Sequence, residues 1–137
     1  MAGITLAAKE IFPDVVVHPV EPQGHDDQKR SHEANERLGG NDNTPSLCDA
    51  ILTPMPGQVS FAICQGKLGE GLVVTDEQAL QAVAFAYNEL KLVVEPGGAV
   101  TLAALLSGQL DVRGKTVLAT LSGGNIDAPV MAQALGL

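Results

Sequence analysis

The residues best suited to chemistry lie in two short segments of the last third of the chain. A continuous apolar run, Thr116 to Leu121, leads into the turn Ser122-Gly123-Gly124-Asn125. Glycines there permit positive φ and a close backbone approach to a ligand, and the Ser122 hydroxyl can donate to a neutral ring nitrogen. Earlier in the chain, Glu95 precedes Pro96 at the start of an apolar helix pattern. A carboxylate in that position is suited to lie near a cofactor ring.

Each segment also fits a purely structural role. The glycine turn also fits a tight strand-to-helix connection with no ligand. Glu95 also fits a role in stabilising the positive end of a helix dipole. Residue types and spacing leave both interpretations open.

A third cluster, Glu21 to Asp27, is rich in oxygen donors. Hard cations such as Mg²⁺ and Ca²⁺ require several oxygen ligands, which the carboxylates of Glu21 and Asp27 and the carbonyl of His25 can supply. A solvated acidic loop is the alternative. The three histidines are seven residues apart, which is not zinc spacing.

Alternating helix and strand patterns surround these segments. Apolar periodicity and β-branched runs predict an α/β fold with a three-layer-like arrangement and a mostly parallel sheet. The predicted helices are Ile4–Ile11, about Asp26–Arg37, near Phe61–Gln65, Thr75 to Leu90, Ala99–Leu106 and Ala128–Leu135, and the predicted strands are Val15–Val17, Leu72–Val74 and Thr116–Leu121. Ligands bind beyond the carboxyl ends of parallel strands, which gives candidate sites after Val17 and after Leu121.

Local signals refine several of these elements. Thr75 and Gln78 have capping-box spacing, and an apolar stripe follows at Ala79, Val83, Ala86, Tyr87 and Leu90. Residues 99–106 are apolar on every side, so this helix is expected to be fully buried. Residues 39–43 are expected to form a flexible loop. Pro19 lacks an amide donor, so the first strand must end near it, bulge there or lie at an edge of the sheet.

Composition excludes several classes of function. The 137 residues carry a net charge of −8, which argues against nucleic-acid and anionic-membrane partners. No signal peptide or membrane span is predicted, and Cys48 and Cys64 lack metal spacing, so a cytoplasmic protein with reduced thiols is expected. Aromatic residues make up only 3% of the chain, so the core must be built from Ala, Val, Leu and Ile.

The order and spacing of four segments resemble the C-terminal part of the fold-type II (tryptophan synthase β-like) pyridoxal-phosphate enzymes. Within that group the segments most resemble those of the serine/threonine dehydratases (threonine deaminase) and serine racemases. The four segments are Ala2-Gly3-Ile4, Val20 to Asp27, Glu95-Pro96-Gly97-Gly98-Ala99 and Ser122-Gly123-Gly124-Asn125. Residues 1–137 are therefore expected to form one partial domain, the C-terminal part of the large catalytic domain.

The resemblance implies a role for each candidate. Ser122, with Gly123 beside it, would hydrogen-bond the pyridine nitrogen of pyridoxal phosphate, and Glu95 would lie beside the ring. Glu21, His25 and Asp27 would bind Mg²⁺ or Ca²⁺. The parent reaction would be β-elimination of water from L-serine or L-threonine, giving a 2-oxo acid and ammonia.

Two features of that family are absent from the 137 residues. Its Schiff-base lysine stands in a Ser-x-Lys-x-Arg-Gly segment, and no lysine here has that context. Its glycine-rich phosphate loop would precede Met1. The chain also has Gly97 where the family usually has Ser, Pro19 where it has another residue, and Asp49-Ala50 where it often has Asp-Gly. No catalytic residue is assigned, and the chain alone is expected to be inactive and not to hold the cofactor.

Three roles fit these observations. The first is a truncated or internally started dehydratase homologue. The second is a self-associating or regulatory binding module, which would pair with itself as a dimer or with a full-length relative. The third is half of a split enzyme, whose partner is the missing catalytic half.

Overall fold

The computed structural model describes residues 1–40 and 44–137, and it consists of helices around a short parallel sheet. The helices are α1 (Ala2–Ile11), α2 (Asp27–Ala34), α3 (Gln58–Cys64), α4 (Asp76–Phe85), α5 (Pro96–Leu106) and α6 (Ala128–Leu135), and the strands are β1 (Val20–Pro22) and β2 (Leu72–Val74). A 3₁₀ turn at Asp49–Ile51 and a π turn at Ala86–Leu90 complete the elements. The predicted loop at 39–43 falls largely on residues 41–43, which lie outside the described ranges.

The two strands pair in parallel, with Val20 opposite Leu72 and Pro22 opposite Val74. The α/β class and the parallel sheet are thus confirmed. The prediction of a buried strand at Val15–Val17 is wrong. Val16 is 58% exposed, and Val17 forms only an isolated bridge to Leu68. Pairing with β2, and not β-branched composition, decides where this strand lies.

The core lies where α4 and α5 pack against each other and the sheet. Its buried residues are small: Cys48, Leu72, Val74, Ala79, Ala82, Val83, Ala86, Val94, Ala99, Val100, Ala103 and Ala104. Small side chains let the two helices approach closely, as expected for a chain with few aromatics. The capping box is confirmed, since Gln78 N–H donates to Thr75 Oγ1 at 3.2 Å and Thr75 N–H donates to Gln78 Oε1 at 2.9 Å.

Two predictions of buried helical surface are only partly right. The predicted stripe is buried at Ala79 and Val83 on α4 and at Ala86 directly after it, but Tyr87 and Leu90 are exposed. The π turn begins at Ala86 and changes the angular spacing of the residues after it, which carries the stripe away from the core. Helix α5 is buried along its first half, whereas Leu106 in its last turn is exposed.

The predicted strand at Thr116–Leu121 is wrong for the described residues. No ladder pairs this segment with β1 or β2, and Leu118 is 90% exposed. A continuous apolar run is typical of a strand with strands paired on both sides, and no strand in the described ranges pairs with this segment. The result is apolar surface in contact with solvent at Val117 and Leu118, and at Leu92 and Val93.

A second set of exposed apolar residues lies on and after α1 and on α3. Thr5 is the buried residue of α1, while Ile4, Ile11 and Phe12 are exposed, as is Val59 on α3. The helix prediction for residues 4–11 is confirmed, although its apolar positions face outward. Within the described parts of the chain, no helix has both the length and the apolarity needed to cross a bilayer.

Candidate cofactor-binding site

The first half of the site is the start of α5. Glu95 is the N-cap residue in an extended conformation, and Pro96 occupies the first turn, where its missing amide hydrogen costs nothing. The Glu95 carbonyl accepts hydrogen bonds from the Gly98 and Ala99 amides at 3.0 Å each. These bonds fix the backbone of Glu95, whose side chain is half-buried.

The second half is the turn after Leu121, which lies directly against this helix start. The Glu95 amide donates to the Gly123 carbonyl at 3.2 Å. Gly123 has φ +81°, and a Cβ atom there would overlap the Glu95 carboxylate. The turn therefore needs glycine both for its backbone angle and for the space that Glu95 occupies.

Two further residues hold the turn in place. Gly98 lies so close to the Ser122 carbonyl that a Cβ atom at residue 98 would overlap it. One turn of helix later, the Thr101 hydroxyl donates to the Thr120 carbonyl at 2.5 Å. The first two turns of α5 thus hold residues 120–123 in place through contacts with the backbone of that segment.

The structure brings together Glu95, Ser122 and Gly123, as the motif positions imply. Ser122 and Gly123 are exposed, so the hydroxyl is accessible to a ligand. A hydroxyl donor, a nearby carboxylate and a turn without side-chain bulk fit the pyridine end of pyridoxal phosphate. Their assignment as cofactor-binding residues stays a prediction.

Sequence reasoning missed Gly98 and Thr101 as supports of the site. Two adjacent glycines in the first turn of a helix were the available signal, because glycine there lowers helix stability unless close packing requires it. Thr101 gave no signal, since a hydroxyl on an otherwise apolar helix often bonds within its own helix.

The acidic cluster has a different arrangement from the one the cation hypothesis needs. Both carboxylate oxygens of Glu21 accept backbone hydrogen bonds at the start of α2, from Gln28 and Lys29 at 2.8 Å each. The His25 ring is hydrogen-bonded through Nε2 to the Thr44 carbonyl at 2.7 Å. No group of three or more His, Cys, Asp or Glu side chains suited to a metal occurs in residues 1–40 and 44–137. The cation site stays a prediction that this geometry does not support.

Burial raises the pKa of Glu21 to about 7, although the Lys29 and Gln28 amides partly oppose the shift. Burial likewise raises the pKa of Asp27, which is 2% exposed. Both carboxyl groups therefore bind protons more tightly in the folded chain than in the unfolded one.

This arrangement predicts a fall in stability with rising pH. Because the native state holds more protons between pH 4.5 and about 7, the free energy of unfolding should decrease across that interval. Urea denaturation at each pH measures it, and Glu21→Gln should remove most of the decrease. Glu10→Gln on the exposed surface of α1 is the matched control and should leave the slope unchanged. An equal slope in the Glu21→Gln variant would contradict the assignment.

Comparison with known proteins gives the family. The family model described as "Pyridoxal-phosphate dependent enzyme" matches residues 1–123, a range that includes Glu95, Ser122 and Gly123. The chain belongs to this family. The match to the family model ends at Gly123, within the glycine turn, so Glu95 and the Ser122-Gly123 pair both lie inside the matched region.

Individual relatives agree with this family assignment. The chain is 34% identical to phenylserine dehydratase of Ralstonia pickettii, over 100% of this chain and 42% of that protein. It is 34% identical to L-threonine ammonia-lyase of Thermotoga maritima, over 93% of this chain and 31% of that protein. Among solved structures, maize serine racemase matches with a TM-score of 0.84 and 30% identity, over 98% of this chain and 42% of that chain. The fold is thus that of fold-type II pyridoxal-phosphate enzymes, and the chain spans less than half the length of these relatives.

Proposed function

We propose that residues 1–137 supply the C-terminal part of a pyridoxal-phosphate-dependent ammonia-lyase of the serine/threonine dehydratase kind. One observation carries the proposal: the contact between the N-cap of α5 at Glu95 and the Ser122-Gly123 turn. Dehydratases and racemases among the relatives support this class of reaction. In this proposal the 137 residues are one partial domain and contribute the ring side of the cofactor pocket.

Pyridoxal phosphate, when bound, supplies an electron sink for the elimination of water from L-serine or L-threonine. The Ser122 hydroxyl would donate a hydrogen bond to the pyridine nitrogen, because a serine O–H can serve a neutral ring nitrogen. Glu95 would place a carboxylate beside the ring, fixed through its backbone bond to Gly123. Gly98 and Thr101 would keep the Ser122 turn in position.

The proposal requires a second polypeptide region that bears the lysine and the phosphate loop. Co-expression with the unmatched N-terminal portion of the Ralstonia pickettii phenylserine dehydratase tests this requirement. We expect the two polypeptides to co-purify and to bind pyridoxal phosphate saturably. Ser122→Ala should leave co-purification intact and weaken cofactor binding about tenfold, the effect of losing one hydrogen bond. Failure to co-purify, or equal cofactor affinity in the variant, would contradict the proposal.

A second candidate role, self-association as a binding module, is favoured by the exposed apolar residues. Leu118 is 90% exposed beside Val117 at 45%. Soluble monomers rarely expose large contiguous apolar patches, which more often mark an interaction surface. A two-fold dimer is the commonest arrangement that would cover such surface.

Light scattering at micromolar concentration tests the dimer. We expect a mass of twice the 14.2 kDa chain that falls on dilution. Leu118→Lys should shift the equilibrium to monomer, whereas Leu137→Lys at the 92% exposed terminal residue should not. A single-chain mass that persists on tenfold concentration would remove this candidate.

A further inference from the structure

The backbone of residues 116–121 carries hydrogen-bonding groups that the described parts of the chain leave unused. Within residues 1–40 and 44–137, no amide of this segment donates a hydrogen bond. Of its carbonyls, that of Thr120 accepts one, from the Thr101 hydroxyl. A row of unpaired amides and carbonyls is a template on which another strand can form.

The side chains of the segment favour the same kind of pairing. Residues 116–121 include three β-branched residues and contain no charged residue, proline or glycine. Leu118 is almost fully exposed, and Val117 beside it is exposed as well. Short uncharged segments of high β-propensity pair with other strands when they are exposed.

The two observed strands are less suited to accept a further strand, because the outer edge of each is obstructed. On β2, the Val73 carbonyl accepts a hydrogen bond from the Gln109 side chain at 2.9 Å. On β1, Pro22 has no amide hydrogen, and its carbonyl accepts a hydrogen bond from the His25 amide at 3.0 Å. Proline and competing hydrogen bonds protect an edge from pairing. Pairing is therefore favoured at residues 116–121.

Opposite charges stand at the two ends of this segment. Lys115 precedes it and is exposed. At the other end the Glu95 carboxylate lies so close to Gly123 that it would overlap a Cβ atom there. Neither Lys115 nor Glu95 takes part in an ion pair within residues 1–40 and 44–137. The segment is therefore complementary in charge to an antiparallel copy of itself.

We propose that residues 116–121 of two copies pair antiparallel about a two-fold axis at Ala119. Lys115 of each copy would lie opposite Gly123 of the other, where it would pair with Glu95. A two-fold axis makes this contact occur twice, as an isologous interface requires. Parallel pairing would place like charges side by side. The pairing presupposes the dimer named above as the second candidate role, specifies its interface and places Lys115 of one copy at the Glu95 and Ser122 site of the other.

Disulfide trapping with Ala119→Cys tests the interface. Directly opposite residues of antiparallel strands have Cα atoms about 4.5–5.5 Å apart, a separation that a disulfide spans. The natural Cys48 and Cys64 are buried. With oxidised glutathione we expect a linked species of twice the 14.2 kDa chain mass. Val59→Cys, at an exposed position on α3, is the matched control and should stay unlinked.

Three results of this experiment would overturn the proposed pairing. A chain that scatters light as a dimer but links through Val59→Cys and not through Ala119→Cys would keep the dimer and reject this interface. A chain that stays monomeric would reject both. Protection of Ala119→Cys from alkylation only by the co-expressed lysine-bearing polypeptide would assign residues 116–121 to that partner.

Charge reversal tests the predicted ion pair. Lys115→Glu should weaken the dimer at least tenfold in sedimentation equilibrium, and adding Glu95→Lys to the same chain should restore it. Lys67→Glu makes the same change in net charge at an exposed lysine after α3 and should leave the dissociation constant within twofold of the parent value. Equal weakening by Lys115→Glu and Lys67→Glu, or no restoration in the double variant, would contradict the antiparallel arrangement.

Discussion

Gly98→Ala is expected to destabilise the folded chain by about 1–3 kcal/mol, the usual effect of overfilling a packed position. The added methyl group would overlap the Ser122 carbonyl, a backbone atom that cannot rotate aside. Helix propensity acts in the opposite direction, since alanine is favoured over glycine by up to about 1 kcal/mol. Urea denaturation monitored by circular dichroism measures the balance through the transition midpoint.

Gly3→Ala in α1 is the matched control for this substitution. Gly3 is also helical, and no atom lies within 4 Å of the position its Cβ would take. This variant should be neutral or stabilised by up to about 1 kcal/mol. If the two variants shift the midpoint in the same direction, the close approach of α5 to the Ser122 turn is not what requires glycine at residue 98.

Elements governed by local signals could be predicted from the sequence. The capping box at Thr75 and the start of α4 depend on residues three positions apart, and both were found as expected. Helix α6 was predicted with its observed bounds, because Pro129 in the first turn and an apolar run define it locally.

Elements governed by pairing were predicted less well: of the three predicted strands, Leu72–Val74 is observed as β2 with the predicted bounds, and the other two are not observed as strands. The β-branched run at residues 15–17 has the composition of a strand, but the ladder forms at Val20–Pro22, where β2 can reach it. The run at 116–121 has the pattern of a central strand and no ladder in the described ranges. A strand depends on what lies beside it, and composition does not supply that information.

The candidate site, too, could be predicted only in part. Motif positions indicated Glu95, Ser122 and Gly123, and the structure places them in contact. The contact itself depends on Gly98. The adjacent glycines at residues 97 and 98 indicate close packing, but they do not reveal the partner, Ser122, which lies 24 residues later.

We propose that these 137 residues provide part of a catalytic pocket and need the lysine-bearing part of the family's enzymes for turnover. None of the lysines in the chain stands in the Ser-x-Lys-x-Arg-Gly context of the family, so none is expected to form the covalent link to the cofactor. Relatives named as dehydratases and ammonia-lyases are more than twice as long. We therefore expect a large difference in the rate of 2-oxo-acid formation: an ordinary enzymatic rate for a full-length relative, and no turnover for this chain.

The most direct test is 2-oxo-acid formation from L-serine and L-threonine by the purified chain with excess pyridoxal phosphate. The chain is produced in a host that lacks its own serine and threonine dehydratases. Full-length L-threonine ammonia-lyase of Thermotoga maritima, assayed identically, is the positive control. We predict a rate equal to the protein-free background for this chain. Oxo-acid formation that increases in proportion to the concentration of the chain would contradict the claim.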